Sequence, residues 1–263
     1  MTSRTRLTVV VALVAVLVAV SAFAQRGRMR ARLATAEDFD GSWHFCRLAY
    51  QGRGAMTDYP DADYNFSQRL SELTKTSVSK QPNGTSNPLI VRPSDPELFE
   101  CPFVMMWETG SLYFDADDAG RLREYLLKGG FIWADDSWGS YDWENFAEEM
   151  AKVMRPPQYS FVDIPGDHPL MHIFFPLPRV PQIPGISYWF GSGGRTSEEG
   201  ADSAEVHVRG MFDERGRLMV LNTHNTDIAD GWEREGIDPR YFQQFSIDAY
   251  AVGVNVMMYT MTH

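Results

Sequence analysis

The sequence predicts an α/β domain built on a mostly parallel sheet, with a late antiparallel hairpin and a long C-terminal helix. Three observations predict it. Strand and helix patterns alternate between residues 89 and 164, two β-rich runs flank a tight turn at residues 213–216, and apolar residues recur at helical spacing after Pro239. Alternation of this kind is typical of parallel βαβ units joined by right-handed crossovers. We therefore predict a single domain over residues 43–263.

The first half of this domain carries four predicted strands, at residues 43–50, 89–91, 103–107 and 131–134. A helix is predicted at residues 66–75, followed by a polar surface loop at residues 80–87. Asp115 with Asp118 three residues later predicts the start of a second helix, and Gly129 predicts its end. A third helix is predicted from Ser140 until Pro156-Pro157 stops it.

The second half is less regular. Residues 160–164 are predicted to form a strand, and a proline-rich passage follows at residues 176–184. The glycine- and charge-rich residues 191–203 are typical of a mobile loop. Residues 205–212 and 217–223 predict the hairpin. Asp238 followed by Pro239 predicts the start of the last helix, because proline is favoured at the first helical position.

The N-terminus predicts export. Residues 7–24 form an apolar run preceded by Arg4 and Arg6, and Ala22-Phe23-Ala24 has the small-x-small pattern of a cleavage site. We therefore expect residues 1–24 to be a signal peptide, with an uncleaved membrane anchor at residues 7–24 as the alternative. Residues 25–42 are expected to be a basic linker. The protein should be periplasmic or secreted, and should touch a membrane only through this segment.

Charge and cysteine content limit the possible partners. The formal net charge is −11, and a nucleic-acid-binding surface needs the opposite sign, so nucleic acid is excluded. The two cysteines, Cys46 and Cys101, would meet an oxidising environment after export, which allows a disulfide. The sequence favours two buried thiols that behave as small apolar residues.

Three polar clusters follow predicted strands, where ligands of open α/β sheets bind. Asp135 and Asp136 follow the fourth strand, Asp167 and His168 follow the fifth, and residues 222–227 follow the hairpin. Carboxylates and imidazoles at such positions can act as general acid and base or ligate a metal. The candidate catalytic residues are Asp135, Asp136, His168 and His224. Three of them, Asp136, His168 and His224, are also candidate metal ligands. The candidate ligand-binding residues in these clusters are Asp136, Asn225 and Asp227. The alternative is structural: Asp136 and Asp167 cap turns, and His168 is a hydrogen-bonded turn residue.

An acidic loop rich in tyrosine provides a second candidate surface. Asp58, Tyr59, Asp63 and Tyr64 combine ring faces with carboxylates, which suits a polar or sugar-like ligand. The residue order does not match a calcium-binding loop. The alternative is a solvated loop whose tyrosines pack beneath it.

A serine or cysteine nucleophile is not predicted. Ser137 is near a strand-to-helix turn, but its neighbours differ from the Gly-x-Ser-x-Gly pattern that allows the strained geometry. Cys101 precedes a predicted strand and Cys46 lies inside one. The glycines at residues 191–194 lack the strand-to-helix context of a phosphate loop, so no nucleotide and no other cofactor is predicted.

Taken together, several short motifs resemble a bacterial family, domain-of-unknown-function family 4159. These motifs are Arg47-Leu48-x-Tyr50, Pro102-Phe103, Leu122-Arg123-x-Tyr125-Leu126 leading into Gly129-Gly130-Phe131, Asp135-Asp136, Asp167-His168-Pro169 and Gly216-Arg217-Leu218. The resemblance implies a fold like that of class I glutamine amidotransferases, a flavodoxin-like sheet with helices on both faces. In that superfamily the catalytic cysteine occupies a strand-to-helix elbow, and the comparable turn here carries Asp135-Asp136-Ser137. His224 lies roughly where that superfamily has its histidine. Glutaminase activity is not expected, because the cysteine is missing.

Two hypotheses follow. The first is a non-catalytic binding or interaction module of the cell envelope that uses the crevice around Asp135, Asp136, His168 and His224, with an envelope protein or a small polar ligand as partner. The second is a metal-assisted or acid–base hydrolase acting on a polar or carbohydrate-like substrate. The hydrolase requires those four side chains to converge on a common point.

Overall fold

The computed structural model describes residues 32–52 and 60–263, and within these residues eight strands form one sheet. The strands are β1 (Arg32–Leu33), β2 (Cys46–Leu48), β3 (Leu89–Val91), β4 (Phe103–Met106), β5 (Phe131–Ala134), β6 (Phe161–Asp163), β7 (His207–Phe212) and β8 (Leu218–His224). Their order across the sheet is β1-β3-β2-β4-β5-β8-β7-β6.

The predicted mostly parallel sheet with a late antiparallel hairpin is confirmed. Strands β1, β3, β2, β4, β5 and β8 run parallel to one another, whereas β7 is antiparallel to both β8 and β6. The central order β3-β2-β4-β5-β8 is the order of flavodoxin-like sheets. In such a sheet the chain winds one way from its first central strand and then the other, which leaves a crevice beyond the carboxyl ends of the strands.

Helices cover both faces of the sheet. They are α1 (Pro60–Thr74), α2 (Ala116–Leu127), α3 (Gly139–Val153), α4 (Ile186–Gly191), α5 (Ile228–Glu233), α6 (Pro239–Tyr241) and α7 (Ile247–Thr262), and a π-helical turn (Phe242–Ser246) joins α6 to α7. Successive strand residues point to opposite faces. Trp133 therefore packs with Phe66 of α1 and Trp232 of α5 in one core, whereas Ile132 packs with Phe146 of α3 in the other.

Local sequence signals account for the helix boundaries. The Asp115 carboxylate accepts hydrogen bonds from the amides of Asp117 and Asp118, which caps α2. Gly129 has φ = 111° just after α2, a conformation that L-residues with a side chain rarely adopt. The Asp238 carboxylate likewise caps α6 through the amides of Arg240 and Tyr241. The long C-terminal helix thus begins where it was predicted.

Several elements differ from the prediction. Arg32 and Leu33, assigned to the basic linker, form β1 and pair with β3. Helix α1 begins at Pro60, six residues before the predicted start. Residues 191–203, which were predicted to be a mobile loop, are held to the domain by hydrogen bonds. Tyr188 Oη donates to the Ser197 carbonyl (2.6 Å), and Thr196 Oγ1 donates to Gln182 Oε1 (2.7 Å).

Cys46 and Cys101 form a disulfide, so the favoured interpretation of two free thiols is wrong. Their Cα atoms are 6.2 Å apart, and both side chains are fully buried. Because β2 and β4 are neighbours in the sheet, Cys46 lies beside the segment that leads into β4. The sequence alone did not reveal this neighbourhood.

The predicted signal or anchor segment, residues 7–24, lies outside the described residues. Among the helices of residues 32–52 and 60–263, none combines the length and apolar character needed to cross a bilayer.

A candidate binding crevice at the carboxyl edge of the sheet

A crevice of about 770 Å³ opens at the carboxyl ends of β4, β5 and β8. Glu108 follows β4, Asp136 follows β5 and Asp227 follows β8. The lining, within the described part of the chain, contains six carboxyl groups and one guanidinium: Glu108, Asp136, Asp142, Glu198, Asp227, Asp230 and Arg234. The crevice is therefore strongly acidic and lies where flavodoxin-like sheets bind ligands.

Two neighbouring strands end in the same unusual backbone conformation. Asp136 has φ = 51° and Glu108 has φ = 48°, the left-handed region that non-glycine residues seldom occupy. The Glu108 amide donates to the Asp136 carbonyl (3.0 Å), which ties the two turns together. Residues in this conformation cluster at functional sites, because the surrounding structure must hold them there.

The elbow between β5 and α3 places Asp136 on the crevice wall. Trp138 Nε1 donates to Asp136 Oδ1 (3.0 Å), and the Trp138 amide donates to Asp142 Oδ2 (2.9 Å). Burial raises the pKa of Asp142. Opposite them, a Cβ added to Gly110 would lie 1.8 Å from Asp142 Oδ1, so this wall requires glycine at that position.

Asp135 faces away from the crevice and anchors α5. Its carboxylate accepts hydrogen bonds from Thr223 Oγ1 (2.5 Å) and from the Ala229 amide (3.0 Å), and it is fully buried. Burial raises the pKa of Asp135 to about 7. Asp135 is therefore a structural link between β5, β8 and the first turn of α5.

Asp227 and Asp230 form the back wall. Asp227 Oδ1 accepts from the Asp230 amide (2.8 Å), and Asp230 Oδ2 accepts from the Ile186 amide (2.7 Å). Burial, followed by the charges of Asp136, Asp230 and Asp135, raises the pKa of Asp227 well above its usual range. Burial also raises the pKa of Asp230. Arg234 Nε lies 3.3 Å from Asp230 Oδ1 and offsets part of this charge, but burial still disfavours full ionisation of both carboxyl groups.

Glu198 and an aromatic rim complete the site. Glu198 Oε1 accepts from the Gly185 amide (2.7 Å), and burial raises the pKa of Glu198. Trp138 is half-buried, and Tyr141 is 70% exposed. Two aromatic faces therefore lie at the entrance of an acidic site.

His224 supports the elbow from behind the crevice. Its Nε2 lies 2.8 Å from the Gly139 carbonyl and its Nδ1 lies 3.1 Å from the Arg209 guanidinium. Because the guanidinium can only donate, Nδ1 accepts and the hydrogen is on Nε2. Burial lowers the pKa of His224 to about 4. Both ring nitrogens are thus engaged within the protein.

Asn225 has a similar supporting role. Its Oδ1 accepts from the Gly139 amide (2.8 Å), its Nδ2 donates to the Glu205 carbonyl (2.7 Å), and its own amide donates to the Ser137 carbonyl (2.7 Å). Asn225 was predicted as a ligand-binding residue. In the structure these polar groups form hydrogen bonds that hold the elbow between β5 and α3.

Comparison with known protein families identifies the family of this chain. The family model for the domain of unknown function DUF4159 matches residues 44–261, most of the chain. The chain belongs to the DUF4159 family. A search of curated proteins finds no match to it.

His168 lies apart from the other candidates in this DUF4159 domain. Its Nδ1 accepts from the Leu170 amide (3.2 Å), and its ring packs against Phe212 and Tyr259. Phe212 pairs with Leu218 at the start of β8, whereas the crevice lies beyond the end of that strand. A strand of seven residues spans about 20 Å. The expected convergence of the four catalytic candidates therefore does not include His168.

The tyrosine-rich loop is only partly described, because Asp58 and Tyr59 lie outside the described residues. Asp63 is fully buried and paired with Arg47, with Nε–Oδ2 and Nη2–Oδ1 distances of 2.6 and 3.0 Å. Burial raises the pKa of Asp63 to about 6. Tyr64 is half-buried, and its hydroxyl accepts from Gln81 Nε2 (3.4 Å). The position of Asp63 is that of a core residue, not of a ligand-binding surface.

Four acidic lining residues of the DUF4159 domain were not predicted: Glu108, Asp142, Glu198 and Asp230. Glu108 could have been found by the rule that identified Asp136, since it follows a predicted strand. Glu198 comes from a distant loop, and no local pattern marks it. Across the described residues, no group of three or more histidine, cysteine or acidic side chains is arranged to hold a metal ion.

Proposed function

We propose that this DUF4159 domain is an exported binding module of the bacterial cell envelope, whose crevice holds a small polar ligand bearing positive charge. One observation carries the proposal: among the residues that the structure describes, six carboxyl groups and one guanidinium line a cavity of about 770 Å³. A volume in this range suits a small molecule. An ammonium or guanidinium group would supply the donors and the charge that these oxygen acceptors favour.

The rim favours an organic cation over a bare metal ion. Trp138 and Tyr141 offer ring faces at the entrance. Cations are attracted to aromatic faces, most strongly to tryptophan. A ligand that carries an amine on a polar body could therefore bind the carboxylates with its charged end and stack against the rim.

Two observations support export. Residues 7–24 have the sequence pattern of a signal peptide. The Cys46–Cys101 disulfide is of the kind that persists in oxidising compartments and is rare in the cytosol. The left-handed elbow at Asp136 supports the further proposal of an amidotransferase-like fold, in which an aspartate stands at the turn that carries the cysteine in that superfamily.

A second candidate function is an acid–base hydrolase for a polar or carbohydrate-like substrate. Asp227 favours it, because its raised pKa keeps a proton available for donation. Asp136 lines the same crevice and would serve as the partner carboxylate. In this hydrolase His168 would not take part in catalysis, and His224 would only position the elbow between β5 and α3.

Ligand-dependent thermal stabilisation of the full-length chain tests the first proposal. Amines such as spermidine, arginine and choline would be compared with neutral sugars and with dicarboxylic acids. We expect stabilisation by amines alone, since only a ligand that binds the folded state raises its stability. Replacing Asp142 by Asn and Glu198 by Gln keeps the acceptor oxygens, removes two charges and should weaken binding about tenfold or more.

Asp167→Asn, an exposed change outside the crevice lining, is the matched control and should leave amine binding unchanged. Stabilisation by sugars but not by amines would reject the cationic ligand while keeping the crevice as the site. Equal losses in the crevice variant and the control would reject the crevice. Hydrolysis of chromogenic glycosides that Asp136→Asn abolishes and Asp167→Asn spares would establish the hydrolase instead.

A further inference from the structure

A second cavity, of about 460 Å³, lies between the N-terminal half of α2 and the C-terminal end of α3. It shares no lining residue with the acidic crevice. We propose that this cavity is a separate binding site for a small, multiply charged oxyanion of the phosphate type. The proposal does not depend on the function proposed for the crevice.

Local charge is the first observation. Arg123, Lys152 and Arg155 line the cavity, in a protein whose net charge is −11. The lining supplied by residues 32–52 and 60–263 contains one carboxylate, Asp115, and its Oδ1 already accepts from the amides of Asp117 and Asp118 at 3.0 and 2.9 Å. The cavity is therefore a basic region on an acidic protein.

The two arginines lack counter-ions, which is the second observation. Arg123 donates to the backbone carbonyls of Val153 (2.6 Å) and Lys152 (2.8 Å), which are neutral acceptors. Among the described residues, no carboxylate lies within ion-pair distance of Arg123 or Arg155. Lys152 differs, because its Nζ lies 2.5 Å from Glu149 Oε1. Positive charge on the two guanidinium groups is thus uncompensated where they face the cavity.

The shape of the floor is the third observation. Ala116, Ala119 and Gly120 supply it, and a Cβ added to Gly120 would meet no atom within 4 Å. A ligand can therefore approach α2 closely at Gly120, whereas the amides of Asp117 and Asp118 at the start of the helix are already capped by Asp115. Tyr113, 51% exposed, lies beside the cavity under the Lys152 ammonium, whose Nζ is 4.7 Å from the ring centroid.

Arginine geometry favours phosphate over a monovalent anion. A guanidinium presents paired donors that match two oxygens of a phosphate, and lysine adds a point charge. The two uncompensated guanidinium groups, with the Lys152 ammonium beside them, suit an anion with more than one negative charge. A pyrophosphate or a compact organic phosphate satisfies this description.

Isothermal titration of the full-length chain with inorganic pyrophosphate tests the proposal. We expect saturable binding to one site. Arg155→Gln should weaken it about tenfold or more, because one charge-assisted contact is lost. Arg121→Gln is the matched control, because it also removes one arginine charge, but from a residue of α2 outside the cavity lining. Arg121 lies 4.6 Å from the Phe99 ring centroid and pairs with Glu124.

A variant that fills the cavity distinguishes pyrophosphate binding in the cavity from general electrostatic attraction of pyrophosphate to the protein surface. Gly120→Leu leaves the charge unchanged, favours helix and meets no neighbouring atom at its Cβ, so it should fold while its side chain occupies the cavity floor. We expect it to abolish pyrophosphate binding. The proposal is overturned if pyrophosphate gives no saturable heat, if Arg121→Gln and Arg155→Gln lose equal affinity, or if Gly120→Leu binds like the parent protein.

Discussion

Neutralising the buried Asp135 carboxyl should change how the stability of this domain depends on pH. In the folded protein the pKa of Asp135 is about 7, whereas in the unfolded chain the pKa of the same group is near 3.8. Between these values the folded state binds more protons, so stability falls as pH rises. Asp135→Asn cannot ionise and removes this effect.

The size of the effect follows from the two pKa values. Each pKa unit corresponds to about 1.4 kcal/mol, so the interval from 3.8 to about 7 corresponds to about 4 kcal/mol. The asparagine can also keep both contacts: its oxygen accepts from the Ala229 amide and its NH₂ donates to Thr223 Oγ1. We therefore expect the variant to match the parent near pH 4 and to exceed its stability progressively up to about pH 7.

Urea unfolding at a series of pH values from 4 to 8 measures this difference. Asp167→Asn, an exposed change at a loop, is the control and should follow the parent curve. Parallel curves for the parent and Asp135→Asn would refute the reasoning, because they would mean that Asp135 ionises at the same pH in both states. A constant offset between the two parallel curves would measure the hydrogen bonds lost in the variant and would refute the reasoning equally.

Two further predictions concern the region around β2. Replacing Cys46 and Cys101 by Ala should lower the free energy of unfolding by about 4 kcal/mol, because the link closes a loop across a sequence separation of 55. Arg47→Met should cost about 3–5 kcal/mol at pH 8, since Asp63 would be left buried and unpaired, whereas adding Asp63→Leu should recover most of that loss.

Each of these predictions has its own control. For the disulfide, thiol titration of the denatured protein without reductant should find no free thiol, and two reactive thiols would contradict the link. For the ion pair, a double-mutant cycle compares both single variants with the double variant. Additive losses from Arg47→Met and Asp63→Leu would show that the two side chains do not act as a pair.

The elements that the sequence predicted well are those with local signals. Helix α2 has a capping aspartate, Asp115, at one end and Gly129 at the other, and both act through hydrogen bonds or backbone angles of adjacent residues. β1 could not be recognised, because two residues carry no periodicity and the strand exists only through pairing with β3. The disulfide depended on the same kind of information, namely which strands are neighbours.

The candidate site was predicted in part for the same reason. Asp136 and Asp227 follow strands directly, so strand assignment alone placed them at the crevice. His168 also follows a strand, but the chain turns back after β6 and brings it against Phe212. Glu198 reaches the crevice from a loop whose position depends on tertiary contacts. No pattern within a short window encodes such contacts.

The disulfide also determines what a broken chain would look like. Cys46 and Cys101 bracket β3 and α1. A single peptide bond cut anywhere between them leaves two fragments that stay covalently joined until a reductant is added. A nicked molecule would migrate as one band on a non-reducing gel and as two on a reducing gel, because the disulfide would still join β2 to the segment that leads into β4.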